Sequence, residues 1–137
     1  MVFDGELRKG VCILVAGLSL CLMGLDQARA EGAALLAGAW KGGGIVEYIT
    51  GNRERARCQA RYSAGATTVS LNATCATPSG SIAQYARLHK TGANTFAGTF
   101  FNSQYSTSGS IRVVVHGDTQ TVSISSGNGS ASLVLKR

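Results

Sequence analysis

From Lys41 to the C-terminus the chain alternates: apolar and polar side chains exchange every second residue in short runs, and segments bearing glycine, asparagine or aspartate separate the runs. That is the period of half-buried β-strands and their turns, not of an amphipathic helix. Eight runs stand out, at 42–50, 54–63, 68–75, 81–89, 95–102, 110–116, 121–126 and 131–136. Between them lie Gly51-Asn52-Arg53, Ala64-Gly65-Ala66, Pro78-Ser79-Gly80, Thr91-Gly92-Ala93-Asn94, Gly117-Asp118-Thr119-Gln120 and Gly127-Asn128-Gly129. The order predicts an all-β, antiparallel up-and-down meander of about eight short strands. Residues 31–39 read as a helical turn or a loose lead-in.

Parity within each run predicts the inner face, because successive strand residues point to opposite sides. In 53–62 the even positions Ala56, Cys58, Ala60 and Tyr62 are the interior set, with Glu54 at their head. The odd positions Arg53, Arg55, Arg57, Gln59 and Arg61 are wet and cationic. In 67–75 the odd positions Val69, Leu71, Ala73 and Cys75 turn inward. A two-residue loop at Ala66-Thr67 then sets Cys58 opposite Cys75, within bridging range. By the same logic, a three-residue loop at 51–53 would set Glu47 across from Arg57 and Gly42 across from Tyr62. Ile111, Val113 and Val115 should meet Val122 and Ile124 across a four-residue loop. In 81–89, Ile82, Ala86 and Leu88 share the inner face with Gln84.

One sheet of eight strands buries an inner face only by curling into a barrel or folding into a β-sandwich. Runs of this length favour a small barrel. Its inner positions are mostly Ala, Val, Leu, Ile and Gly, with Tyr62, Phe96 and Phe100 as the large fillers. An eight-stranded barrel is either just filled by its side chains or holds one small ligand, and this set is compatible with both.

The first thirty residues read as a signal peptide. Arg8 and Lys9 precede an apolar run from Val11 to Leu25, and Ala28-Arg29-Ala30 supplies the small residues of a cleavage site. The run falls short of the roughly 20 residues that a membrane-spanning helix needs. Export leaves one β domain, 31–137, with 10 basic and 4 acidic side chains and no transmembrane segment. Only Cys58 and Cys75 then remain, and in an oxidising compartment, periplasmic or extracellular, they are expected to form one disulfide.

Gly38-Ala39-Trp40, a Gly-x-Trp ahead of the first strand, resembles the opening of calycin-type barrels, the group that includes lipocalins and avidins. The resemblance implies that a basic side chain of the last strand lies across the Trp40 ring near a closed barrel end. Lys136 and Arg137 stand at that place, and Arg137 shares the inward parity of Leu135. The likeness covers three residues at the front and two at the back; the second and third lipocalin motifs and an avidin-like set of biotin contacts are absent. The layout Trp-x-Gly-Gly-Gly, Arg-x-Arg-Cys, then a second Cys near Pro-Ser-Gly is also similar to small exported bacterial proteins of unknown function. That likeness implies no activity.

The chemistry-bearing residues are few. Glu31, Glu47, Glu54 and Asp118 are the acids of the exported segment, and His89 and His116 its histidines. Glu47 and Glu54 fall on opposite faces, which disqualifies them as a glycosidase pair. His116-Gly117-Asp118 reads as a turn, and no serine lies in a nucleophile elbow. No catalytic residue, metal site or cofactor is therefore expected. Arg53, Arg55, Arg57 and Arg61 form a candidate anion-binding stripe, with neighbours roughly 7 Å apart along one strand. Without interleaved aromatics, nucleic acid is not the expected partner.

The sequence thus predicts an exported, non-catalytic binding protein, holding a small apolar ligand in a barrel or an anionic envelope component on the stripe. The polar stretch 101–109 reads as a flexible rim or lid at the barrel mouth. The alternative is a structural or inhibitory interaction protein with a solid barrel and partner-docking loops.

Overall fold

The computed structural model describes residues 35–65 and 67–137. The expected leader and its cleavage after Ala30 lie outside the described residues. Eight antiparallel strands follow in chain order: β1 (Gly38–Tyr48), β2 (Arg53–Ala64), β3 (Val69–Thr77), β4 (Gly80–Lys90), β5 (Thr95–Asn102), β6 (Thr107–His116), β7 (Thr119–Ser126) and β8 (Gly129–Lys136). Each pairs with the next, and β8 pairs with β1, closing the sheet into a barrel. Closure leaves no free sheet edge, and the sandwich alternative falls away.

The alternation read from the sequence is the pattern of burial. Ala56, Cys58, Ala60 and Tyr62 are buried while the arginines between them are exposed. Val69, Leu71 and Cys75 continue the interior on β3, opposite an inward β4 face of Ile82, Gln84, Ala86 and Leu88. Cys58 pairs directly with Cys75, and the two are joined by a disulfide.

The β1–β2 register departs from the expected one by four residues. Glu47 pairs with Arg53 rather than Arg57, and Gly42 faces Cys58 rather than Tyr62, which instead meets Gly38. The hairpin loop is Ile49-Thr50-Gly51, closed by Tyr48 N–H donating to Asn52 O at 2.8 Å and Gly51 N–H donating to Tyr48 O at 2.8 Å. Gly51 has a φ of +93°. Three-residue hairpin loops end on a left-handed residue, so the glycine belongs at the end of the loop, not at its start. Because four is even, the shift leaves every side chain on its expected face.

Two other connections are tighter than expected. Thr119 pairs with His116, so the β6–β7 loop is Gly117-Asp118 alone, not four residues, and β7 begins two residues early. This brings Gln120 into the buried core opposite Val115. The stretch 101–109 is not a lid: pairing runs to Asn102↔Thr107, leaving 103–106 as a four-residue turn.

Glycines allow the sheet to close where β1 crowds its neighbours. A Cβ on Gly44 would fall inside contact distance of the Ser132 carbonyl oxygen, and one on Gly42 would meet that of Val134. A side chain at either place would push β8 away from β1.

Candidate functional site: a cavity between four hairpins

The two ends of the barrel are built differently. At one end, Leu36 and Trp40 are fully buried, and Trp40 Nε1 donates to Leu36 O at 2.9 Å. The Arg137 guanidinium lies over the Trp40 ring, with Cζ 4.5 Å from its centroid. Its Nη1 donates to Ala37 O and its Nη2 to Leu35 O, each at 3.1 Å, while Nε sits 3.7 Å from Asp118 Oδ1. Arg137 therefore ties the lead-in segment and the β6–β7 turn to the plug.

Above the plug the core is built of buried side chains. Tyr62 donates to Gln120 Oε1 at 2.5 Å within a layer that includes Leu88, Phe96, Val113 and Leu135. Burial pushes the Tyr62 phenol well above its ordinary value, so it is a neutral donor throughout the physiological range.

At the opposite end the side chains shrink and the interior opens. Gly42 and Gly44 give β1 no inward side chain there, and Ala56, Cys58, Cys75 and Ala131 give β2, β3 and β8 only small ones. The result is a cavity of about 550 Å³ that opens between the β1–β2, β3–β4, β5–β6 and β7–β8 hairpins. Val46, Ile82, Phe100, Ile124 and Leu133 wall it, the disulfide lies at its side, and Gln84 and Asn102 are among the polar residues that line it.

The four hairpins are fastened to one another in a ring. Ser79 donates to Glu54 through both its amide (3.2 Å) and its hydroxyl, joining β2 to the β3–β4 turn. Ala83 N–H donates to Gln104 Oε1 at 3.0 Å, and Asn128 Nδ2 donates to Thr107 Oγ1 at 2.8 Å. Ile49 N–H completes the circle by donating to Asn128 O at 3.0 Å. These links stand where backbone pairing runs out: β2 pairs with β3 only from Arg57 onward, and β4 with β5 only from Tyr85. The Ser79 hydroxyl holds the Glu54 carboxyl below its ordinary value, against a smaller upward push from desolvation.

The arginines of the stripe all lie on the outer wall and do not reach the cavity. Arg53 pairs with Glu47 at 3.5 Å. Among the described residues, Arg55, Arg57 and Arg61 have no carboxylate within ion-pair distance. The register adds two cations that strand parity alone did not bring to the stripe: Lys41 stands beside Gln59 on one side and Lys136 on the other. His116 is exposed opposite Thr119, and Asp118 faces Arg137. Among the described residues no group of three or more metal-ligating side chains comes together, and no helix is long and apolar enough to cross a membrane.

The sequence matches no protein-family model and no curated protein. Its fold is that of small up-and-down barrels of computational design. The redesigned barrel mFAP1, bound to DFHBI, superposes with a TM-score of 0.64 at 15% identity, over 77% of this chain and 98% of that one. A second barrel bound to DFHBI, mFAP2b, gives 0.65 at 13% identity, over 77% and 96%. A fluorescence-activating barrel designed de novo gives 0.60 at 13% identity, over 77% and 96%.

Proposed function

We propose that this protein is a non-catalytic binding barrel that carries a small, mostly apolar molecule in the cavity between its four hairpins. The observation that carries the reading is the contrast between the ends: one plugged by Trp40 and Arg137, the other hollow and apolar. The volume falls within the roughly 300–1,000 Å³ of small-molecule pockets. A ring of hydrogen bonds holds the mouth in shape, which lowers the ordering cost of binding. Two barrels of similar fold are bound to a small molecule, which agrees with this use of the architecture. The disulfide is compatible with an oxidising compartment, periplasmic or extracellular, as the leader-like segment suggests. A solid barrel acting only through its loops fits the hollow end less well.

The test is binding of the neutral dye anilinonaphthalene by the parent and by Ala131→Phe. Ala131 lines the cavity and is only partly buried, so a ring there fills the space. Saturable dye fluorescence in the parent, lost in the variant at unchanged thermal midpoint, supports the reading; equal binding by both refutes it.

A second reading rests on the outer wall, where Arg55, Arg57, Arg61, Lys41 and Lys136 make one cationic face of β8, β1 and β2. Such a face would attract an anionic envelope component in a salt-sensitive way. Replacing Arg55 and Arg57 with serine should abolish retention on an anionic surface.

A further inference from the structure

We infer that the cavity selects a ligand without negative charge that carries a hydrogen-bond acceptor, such as a ketone or amide carbonyl, and that Gln84 and Asn102 read that group. The inference rests on the binding reading above and names its ligand class.

Asn102 is 4% exposed, a carboxamide inside a largely apolar wall. Its Oδ1 accepts from Gln104 N at 2.9 Å and from Tyr105 N at 3.3 Å. Two backbone N–H donors on one atom settle which end of the amide is oxygen. They also fix its plane, leaving Nδ2 on the other side. Among the described residues Nδ2 donates to no protein group, and Asn102 lines the cavity. Gln84 lies on the inner face of β4, half-buried, and lines the same cavity. The last β4–β5 pair is Tyr85↔Phe101. Gln84 and Asn102 are the next residues of the two strands beyond that pair. Two carboxamides thus share one stretch of wall where the backbone ladder has ended.

The rest of the lining argues against an anionic ligand. Among the described residues no lysine, arginine or histidine lines the cavity, and the ionisable ones that do are Glu47, Glu54, Tyr48 and Tyr105. Glu54 is held ionised by Ser79 at the mouth. An anionic headgroup would meet carboxylates there and find no counter-charge inside, at a dielectric lower than water's. A neutral carbonyl loses little on entering and accepts from a donor that is already oriented.

The experiment uses three dyes: the ketone Prodan, anilinonaphthalene, which has no carbonyl, and anilinonaphthalene sulfonate, the anionic relative of the second. Fluorescence titrations are run on the parent, Asn102→Asp and Gln84→Met. Asn102→Asp keeps an oxygen for the Gln104 and Tyr105 amides and removes the donor. Gln84→Met removes a side chain that bonds no described protein group, so the fold should not depend on it. The parent should bind Prodan and anilinonaphthalene, and the sulfonate at least tenfold more weakly. In each variant the affinity for Prodan relative to anilinonaphthalene should fall about tenfold, the worth of one hydrogen bond. Unchanged relative affinity for Prodan in both variants overturns the role of the carboxamides and leaves the cavity reading standing. A sulfonate bound as tightly as its neutral relative overturns the charge assignment. Failure of both neutral dyes overturns the cavity reading itself.

Discussion

Removing the guanidinium of Arg137 should open the plugged end. The group makes a cation–π contact with Trp40 at 4.5 Å and two hydrogen bonds of 3.1 Å to the carbonyls of Ala37 and Leu35. Its partner Asp118 is 86% exposed, so that ion pair adds little. The guanidinium itself is one-third exposed, which places the cation–π contact near the middle of its range, about 1 kcal/mol. Each charged hydrogen bond, discounted for solvent, adds about 1 kcal/mol. Arg137→Ala should therefore cost about 2–3 kcal/mol, and a domain of this size loses about 4–8 °C per kcal/mol, so the midpoint should drop by roughly 10–20 °C. Arg137→Lys keeps a charge but loses the fork and should fall between the two. Lys136→Ala, whose side chain points outward, is the control and should stay within about 0.5 kcal/mol. The assay is thermal unfolding followed by circular dichroism, with urea titration for the free energies. An Arg137→Ala midpoint within a degree of the parent would mean that the plug holds without its cation, and would refute the role given to the guanidinium.

Other predictions concern the opposite end. Reducing the Cys58–Cys75 disulfide, which closes a 17-residue separation, should cost about 3 kcal/mol on the chain-entropy account; equal urea midpoints before and after reduction would contradict it. The Glu54 clamp should fail in acid. Because its folded value is depressed by the Ser79 hydroxyl, its contribution is whole above the ordinary carboxylate value and fades as pH falls through the lower, folded one. Protection of the Ser79 amide from exchange, measured against its intrinsic rate at the same pH, should then fall in that window for the parent and stay low at all pH values in Glu54→Ala. A parent profile without such a step would remove the clamp.

Much of the barrel was legible in the chain because strand alternation survives errors in everything else. The inner face of β2 followed from parity, and the pairing of Cys58 with Cys75 from parity together with a two-residue loop. The β1–β2 register was not legible, because Tyr48-Ile49-Thr50 is as strand-like as what precedes it, and only the left-handed requirement at Gly51 decides where the loop ends. Gln120 illustrates another limit: Gly-Asp-Thr-Gln reads as a turn, yet the tight Gly117-Asp118 loop returns Thr119 and Gln120 to β7. The cavity left a fainter signal in the glycines and alanines clustered on β1, β2 and β8, a pattern that fits a narrow barrel equally well. Asn102 left none. Its buried amide is set by a turn that the sequence presents as polar loop, and the ring of side-chain bonds around the mouth joins residues far apart in the chain.

The most direct measurement is the mass of the protein purified from its natural source, taken once denatured and once under native conditions. The expected denatured mass lies two hydrogens below that of the fully reduced chain, for the disulfide, and the expected native mass carries one additional small molecule. A native mass equal to the denatured one, in a protein that also leaves neutral dyes unbound, would contradict the claim that the hollow end of the barrel is a binding site.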